Sequence, residues 1–144
     1  SLKNWLTLTH TPGLGATTFH TLLNAFGSVE AILSAKHGEL SRLGINSETI
    51  NALTSQAQPD IEADLVWLAE TEHHIITLED ERYPAQLKEL NDAPPLLYVR
   101  GDPDYLQQPQ LAIVGSRNAT ASGRNTAKEF ASHLSNVGIT ITSG

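Results

Sequence analysis

Apolar residues in the first part of the chain recur at helical spacing. Phe19, Leu22, Leu23 and Phe26 fall at positions i, i+3, i+4 and i+7, which places them on one face of a helix. Short apolar segments separated by glycine and serine continue as far as Pro59, which we take as a domain boundary. The pattern predicts a small all-helical bundle over residues 1–58.

Further short helices are predicted inside this bundle. One covers residues 29–35, one covers residues 39–43 before Gly44, and a third begins at Ser47, which is the predicted N-cap. The segment Trp5–Thr9 alternates with period two, as a strand would. We predict a helix there, because no partner strand is found nearby.

The second predicted domain, residues 59–144, mixes helices and strands. A helix is predicted over residues 61–68, a strand over 75–78, a short helix over 84–90 and another strand over 96–99. The fold class is therefore predicted to be α/β with an all-α N-terminal domain.

The last part of the chain is predicted to form a βαβ unit. A buried strand over Leu111–Val114 and a β-branched strand over Ile139–Thr142 flank a helix. The helix is predicted from an apolar stripe made of Ala127, Phe130, Ala131 and Leu134. A doubly wound sheet needs more strands than these, so we expect only the first part of such a sheet, in a chain that is a fragment of a longer one.

The loop between this strand and helix combines glycine, hydroxyl and arginine residues. Backbone N–H groups at a helix N-terminus form a site for anions, and arginine suits bidentate contact with phosphate and stacking on a base. The candidate binding residues are Gly115, Ser116, Arg117, Thr120, Ser122, Gly123 and Arg124. Their spacing matches neither G-x-G-x-x-G nor G-x-x-x-x-G-K-S/T, which disfavours an ordinary NAD or ATPase site.

Charge is distributed unevenly along the chain, whose net charge is −7. Residues 59–110 contain twelve acidic and three basic side chains, whereas residues 111–144 contain three basic side chains and one acidic one. The loop therefore lies in a locally basic segment that can select a polyanion despite the overall charge. The chain has no cysteine and no long apolar run, so we expect no disulfide, thiolate zinc site or membrane span, and a cytoplasmic location.

The segment Pro12-Gly13-Leu14-Gly15 has the shape of a helix-hairpin-helix turn, whose amides can contact a DNA phosphate. The helix that follows it has no lysine or arginine through Ala25. A structural hairpin is therefore favoured over a DNA clamp, and the helical domain could equally be a protein-interaction module.

Other polar and aromatic features have structural interpretations. His73 and His74 lack the spacing of metal ligands on one helix face, so exposure or contact with a helix C-terminus is expected. The acidic run at residues 79–81 is expected to be a solvated turn, and Trp5 and Trp67 are expected in the core. No catalytic or metal-binding motif is found, so no enzyme and no cofactor are predicted.

Several motifs together resemble the DNA-processing protein A (DprA/Smf) family. They are Val114-Gly115-Ser116-Arg117 with Thr120, Gly123 and Arg124, then Ile141-Thr142-Ser143-Gly144, and upstream Tyr83-Pro84 and Pro94 to Gly101. The upstream motifs resemble the entry to that family's extended Rossmann domain. The helical N-terminus resembles its sterile-alpha-motif-like (SAM-like), helix-hairpin-helix domain.

The resemblance implies a non-enzymatic protein that binds single-stranded DNA in natural transformation and homologous recombination. Such proteins protect incoming DNA, help load the RecA recombinase and act as homodimers. Arg117 would lie in the strand-binding pocket, shaped by Gly115 and Ser116, while Ser143 and Gly144 would begin the next phosphate-side loop. The family continues with a further glycine-rich motif, so we expect only half of the pocket here. The alternative is a nucleotide-binding Rossmann-like enzyme, such as a nucleotide phosphoribohydrolase.

Overall fold

Five helices form the N-terminal part of the chain in a computed structural model that describes residues 1–55 and 57–144. They are α1 (Leu2–Thr9), α2 (Ala16–Phe26), α3 (Val29–Leu33), α4 (His37–Arg42) and α5 (Ser47–Thr54). The helix predicted over Trp5–Thr9 is confirmed, because this segment buries Trp5, Leu6 and Leu8 in the bundle instead of pairing as a strand.

The bundle core is built on α1 and α2. Phe19 and Leu22 are fully buried, and the Phe19 ring stacks on Trp5 with centroids 5.2 Å apart. The N-cap of α5 is Asn46, whose side chain accepts a hydrogen bond from the Thr49 N–H at 2.7 Å. The predicted N-cap Ser47 is therefore wrong by one residue, since the amide oxygen of Asn46 is already placed to accept the free N–H of the first turn.

The next segment folds into a β-hairpin with two short helices. Its elements are α6 (Glu62–Leu68), β1 (His73–Thr77), α7 (Ala85–Lys88) and β2 (Leu96–Arg100). The two strands pair antiparallel, from His73 opposite Arg100 to Thr77 opposite Leu96. This segment contributes five buried apolar and aromatic residues to the core, namely Ile75, Ile76, Leu78, Tyr83 and Ala93.

The chain divides into two compact units, Ser1–Pro103 and Asp104–Gly144. The predicted domain boundary after residue 58 lies inside the first unit and stays a prediction. Within the described residues, no helix is both long and apolar enough to cross a membrane.

The second unit contains the predicted βαβ arrangement. After a 3₁₀ turn at Pro103–Gln107 it consists of β3 (Gln110–Ala112), α8 (Ala121–Asn136) and β4 (Thr140–Thr142). The strands β3 and β4 pair in parallel, with Leu111 opposite Ile141. The chain is thus an α/β protein in which a helical N-terminal part precedes the first elements of a Rossmann-like sheet.

The expectation that the first strand of this unit is buried is wrong. Leu111 on β3 is 40% exposed, and Val114, predicted as the last residue of the strand, lies beyond its end at Ala112 and is 87% exposed. A parallel strand is buried when layers cover both faces of its sheet. Among the described residues of the unit, one helix lies against two strands, so one sheet face is left open.

The predicted apolar stripe of α8 is confirmed at three of its four positions. Ala127, Ala131 and Leu134 are half-buried, whereas Phe130 is 60% exposed. A helix turns by about 100° per residue, which places Phe130 roughly 65° from the middle of the stripe. The prediction that Phe130 packs inward is therefore wrong, because a single small sheet does not reach that flank of the helix.

Candidate anion-binding loop at the start of α8

The loop between β3 and α8 is held by its own hydroxyl groups. Thr120 is the N-cap of α8, and its Oγ1 accepts a hydrogen bond from the Gly123 N–H at 3.0 Å. Ser116 Oγ accepts from the Asn118 N–H at 3.1 Å. A Cβ at position 123 would lie 3.2 Å from Thr120 Oγ1, so Gly123 allows this cap to close tightly. Both hydroxyl hydrogens stay available to a ligand.

The predicted binding residues surround one open depression of about 740 Å³. Those that line it are Gly115, Ser116, Arg117, Thr120, Gly123, Arg124, Ser143 and Gly144. Ser143 and Gly144 reach it because β3 and β4 are parallel neighbours, whose carboxyl ends lie at the same sheet edge. Ser122 is exposed on the first turn of α8 and does not line the depression.

Four apolar residues that the sequence did not single out complete the lining. They are Ile113, Val114, Ala119 and Ala127. Val114 directly precedes Gly115, and Ala127 is one helical turn after Gly123, so each adjoins a predicted residue. A prediction that extended the site to the neighbours of the polar loop would have found them.

The electrostatics of the depression favour an anion. Arg117 and Arg124 are exposed, and neither forms an ion pair with any described residue. The backbone N–H groups of Gly115, Ser116 and Arg117 likewise have no hydrogen-bond partner in the described part of the chain. The dipole of the 16-residue helix α8 adds positive potential at its N-terminus.

The lining supplies guanidinium, hydroxyl and amide groups, all of which can donate hydrogen bonds to an anion. Among its described residues, no lining side chain is a carboxylate, an imidazole or a thiol. Elsewhere in the described residues, no group of three His, Cys, Asp or Glu side chains is placed to hold a metal ion.

The hairpin of Pro12-Gly13-Leu14-Gly15 connects α1 and α2. Gly13 has φ +76°, in the left-handed region, and Leu14 is buried beneath the turn. Gly15 is the N-cap of α2 without a side-chain hydrogen bond. A Cβ at position 13 would lie 2.5 Å from Oγ1 of the buried Thr49, so the turn is tightly fitted to α5.

The histidine pair has a structural role at its first member. His73 is buried, and its Nδ1 lies 2.8 Å from the backbone oxygen of Trp67 in the last turn of α6. The two rings stack with centroids 4.1 Å apart. The expected contact with a helix C-terminus is thus confirmed for His73, whereas the alternative of simple exposure is wrong for it. Trp5 lies in the core as expected, and Trp67 is half-buried.

The acidic turn is organised by its central residue. Asp80 accepts hydrogen bonds from the side chain of Arg82, with Arg82 Nη2 2.7 Å from Asp80 Oδ2. These bonds hold the pKa of Asp80 below its usual value. Glu79 and Glu81 are exposed, as expected of a solvated turn.

A carboxylate that the sequence did not reveal joins three elements of the first unit. Oδ2 of Asp64, on α6, lies 2.9 Å from Nε2 of His10, at the end of α1. It also accepts a hydrogen bond from the hydroxyl of Tyr98 on β2. Burial, and then the Asp64 carboxylate, raise the pKa of Tyr98 well above its usual value. Residues so far apart in the chain leave no periodic signal by which the sequence could have paired them.

Both the N-terminal and the C-terminal parts of the chain match models of known protein families. Residues 74–144 match the family model of DNA recombination-mediator protein A, and residues 2–60 match that of the DprA-like N-terminal HHH domain. The chain belongs to the DprA/Smf family. The anion-binding loop lies within the match to the first family model, and the Gly13 hairpin lies within the match to the second.

Curated DprA/Smf proteins are similar to this chain over part of their length. Protein Smf of Escherichia coli strain K12 is 36% identical over 105 residues, which is 73% of this chain and 28% of that protein. DNA processing protein DprA of Streptococcus pneumoniae is 38% identical over 65 residues, 45% of this chain and 23% of that protein. DprA of Bacillus subtilis is 27% identical over 106 residues, 73% of this chain and 36% of that protein. The chain thus spans about a quarter to a third of these relatives.

Proposed function

We propose that this chain binds single-stranded DNA through the loop that begins α8. The observation that carries the proposal is the depression itself, where two arginines without ion pairs and free backbone amides face the same space. Proteins that bind single strands combine such cationic grooves with tolerance of sequence. Membership of a family of DNA-processing proteins supports DNA as the polyanion.

In this proposal Arg117 makes the principal phosphate contact. Its guanidinium can hold two phosphate oxygens at once, while Gly115 keeps the backbone close to the strand. Ser116 and Thr120 offer hydroxyl hydrogens, and Arg124 faces the same depression from α8. Gly123, Ser143 and Gly144 border the depression, and Ser122 lies beside it on the same helix turn.

Fluorescence anisotropy with a labelled oligothymidylate at low salt tests the assignment. Arg117→Ala should weaken binding by about 1–3 kcal/mol, the range for hydrogen bonds to a charged group. Arg42→Ala is the matched control, because Arg42 is an exposed arginine on α4 of the other unit. If the Arg117 and Arg42 variants bind with equal affinity, the loop is not part of the DNA-binding surface.

The role of the whole protein follows from this proposal. We infer that it acts without enzymatic chemistry in the cytoplasm, protecting incoming strands in natural transformation and helping to load the RecA recombinase. We also infer a homodimer. Light scattering of the full protein tests the dimer, and the rate of RecA filament growth on a protein-coated strand tests loading. A monomer, or an unchanged rate, would overturn the corresponding inference.

A nucleotide-binding enzyme is the second candidate, because the depression has the volume of a small-ligand site. Calorimetric titration with AMP and with an oligothymidylate separates the two. Binding of AMP without binding of the oligonucleotide would favour the enzyme. The lining offers no side-chain acid or base for such a reaction, which is why the DNA proposal is preferred.

A further inference from the structure

Helix α8 continues the basic surface beyond the loop. Lys128 follows Arg124 at i+4, which places the two side chains on neighbouring turns, about 6 Å apart along the helix axis. Arg124 lines the depression, and Lys128 lies one turn outside it. Both are exposed, and Lys128, like Arg124, forms no ion pair with any described residue.

The acidic residue next to Lys128 in the sequence is hydrogen-bonded to another side chain. Glu129 is the one acidic residue of residues 111–144, and its Oε1 accepts a hydrogen bond from Asn125 Nδ2 at 3.0 Å. Asn125 and Glu129 each follow a basic residue by one position, so they lie about 100° further around the helix. The positive charge of Lys128 is therefore left for an external anion.

The position of the buried stripe defines the flank on which the basic residues lie. Ala127 and Ala131 face the sheet, with Arg124 and Lys128 on one side of them and the exposed Phe130 on the other. The basic flank thus runs directly from the depression along the helix. An extended single strand presents phosphates at a spacing similar to one helical turn, so a strand leaving the depression on this side meets Lys128.

We propose that Lys128 is a phosphate-contacting residue that lengthens the strand-binding surface from the loop along α8. This inference rests on the proposed function, that the loop binds single-stranded DNA. Its consequence is a difference between short and long strands. A strand that fills only the depression does not reach Lys128, whereas a longer one does.

The experiment compares two oligothymidylates. The long strand has about 12 nucleotides, and the short strand is the shortest that binds the unaltered chain measurably. Lys128→Gln should weaken binding of the long strand several-fold and leave that of the short strand unchanged. It should also reduce the slope of log K against log salt for the long strand by about 0.7, the value for one phosphate contact. Lys128→Arg should leave the affinity for the long strand and its salt slope close to those of the unaltered chain, since it keeps the charge.

Lys88→Gln on α7 is the control for loss of one exposed lysine, and thermal unfolding of each variant checks the fold. An unchanged salt slope for Lys128→Gln, or an equal loss on both strands, overturns the inference. If Arg117→Ala weakens both strands while Lys128→Gln weakens neither, the loop proposal stands and this one fails. If neither variant differs from the unaltered chain, or that chain binds no strand, both proposals fail.

Discussion

The imidazole Nε2 of His10 lies 2.9 Å from Oδ2 of Asp64, across 54 residues of sequence. The contact joins the end of α1 to α6, and Tyr98 of β2 donates to the same carboxylate. A second link runs from His20 Nε2 on α2 to the backbone oxygen of Ala93, 2.8 Å away. Helices of the predicted N-terminal domain are thus fastened to the β-hairpin within one compact unit.

Asp64→Ala is expected to lower the free energy of unfolding by about 0.5–1.5 kcal/mol, the range for an ordinary hydrogen bond. The carboxylate side chain is only 12% exposed and contacts both Tyr98 and His10, whereas the exposed Tyr98 can bond to water once the carboxylate is gone. Urea unfolding followed by tryptophan fluorescence measures the change. His10→Gln is the matched comparison and should have a smaller effect, because it removes one of the two contacts and the side chain of His10 is 41% exposed to water.

A spectroscopic check on the same carboxylate is the ionisation of Tyr98. Because Asp64 contributes to the raised pKa of this phenol, Asp64→Asn should let it ionise at lower pH. Phenolate absorbance during an alkaline titration reports this shift. A titration curve that is identical in both proteins would show that the Asp64–Tyr98 hydrogen bond is not formed in solution.

The ion pair of Asp80 and Arg82 is expected to make stability depend on acid. The folded protein holds the pKa of Asp80 below its unfolded value of about 3.9. The contribution of the ion pair to folding stability is therefore present above that unfolded pKa and is lost as the pH falls through the folded pKa. Partly exposed ion pairs contribute little to stability, so we expect less than about 1 kcal/mol. In Asp80→Asn, the free energy of unfolding should therefore fall less steeply as the pH is lowered into the acid range. An unchanged acid dependence would contradict this role of Asp80.

The hairpin of the helical part is expected to require glycine at position 13. Gly13→Ala adds a Cβ in a left-handed conformation and 2.5 Å from Thr49 Oγ1, so it should cost about 1–3 kcal/mol of stability. Thr49 Oγ1 is buried without a hydrogen-bond partner among the described residues. In a Thr49→Ala background the hydroxyl is gone, and the cost of Gly13→Ala should fall to that of the strained backbone alone. Urea unfolding of the four proteins measures this coupling.

If the two substitutions prove additive, the close approach of Gly13 to Thr49 does not hold in solution. The backbone strain would then account for the whole cost of Gly13→Ala. A Gly15→Ala variant is a useful control, since Gly15 has an ordinary negative φ and open space around its Cα. It should cost about 1 kcal/mol, because glycine is preferred to alanine at an N-cap, and this cost should be the same with and without Thr49→Ala.

Local patterns sufficed to predict the helices, the hairpin strands and the loop that begins α8. Phe19 and Leu22 repeat at helical spacing, and the residues from Gly115 to Arg124 are neighbours in sequence, so each could be recognised without knowledge of the fold. Asp64 could not, because its partners His10 and Tyr98 are brought to it only by packing of distant elements. The burial of Leu111 was mispredicted for a related reason, since the covering of a strand depends on layers that its own residues do not encode.

The N-cap of α8 offers a way to separate helix capping from anion binding at the loop. Thr120→Asn and Thr120→Asp both supply a side-chain oxygen for the Gly123 N–H, so both should keep the helix and the unfolding temperature. They differ by one negative charge inside the depression. We expect Thr120→Asn to bind an oligothymidylate nearly as the unaltered chain does, because its side-chain N–H replaces the hydroxyl as a donor. Thr120→Asp should bind about tenfold more weakly, or roughly 1.4 kcal/mol. Equal affinities of the two variants would mean that the bound phosphates lie away from the N-terminus of α8.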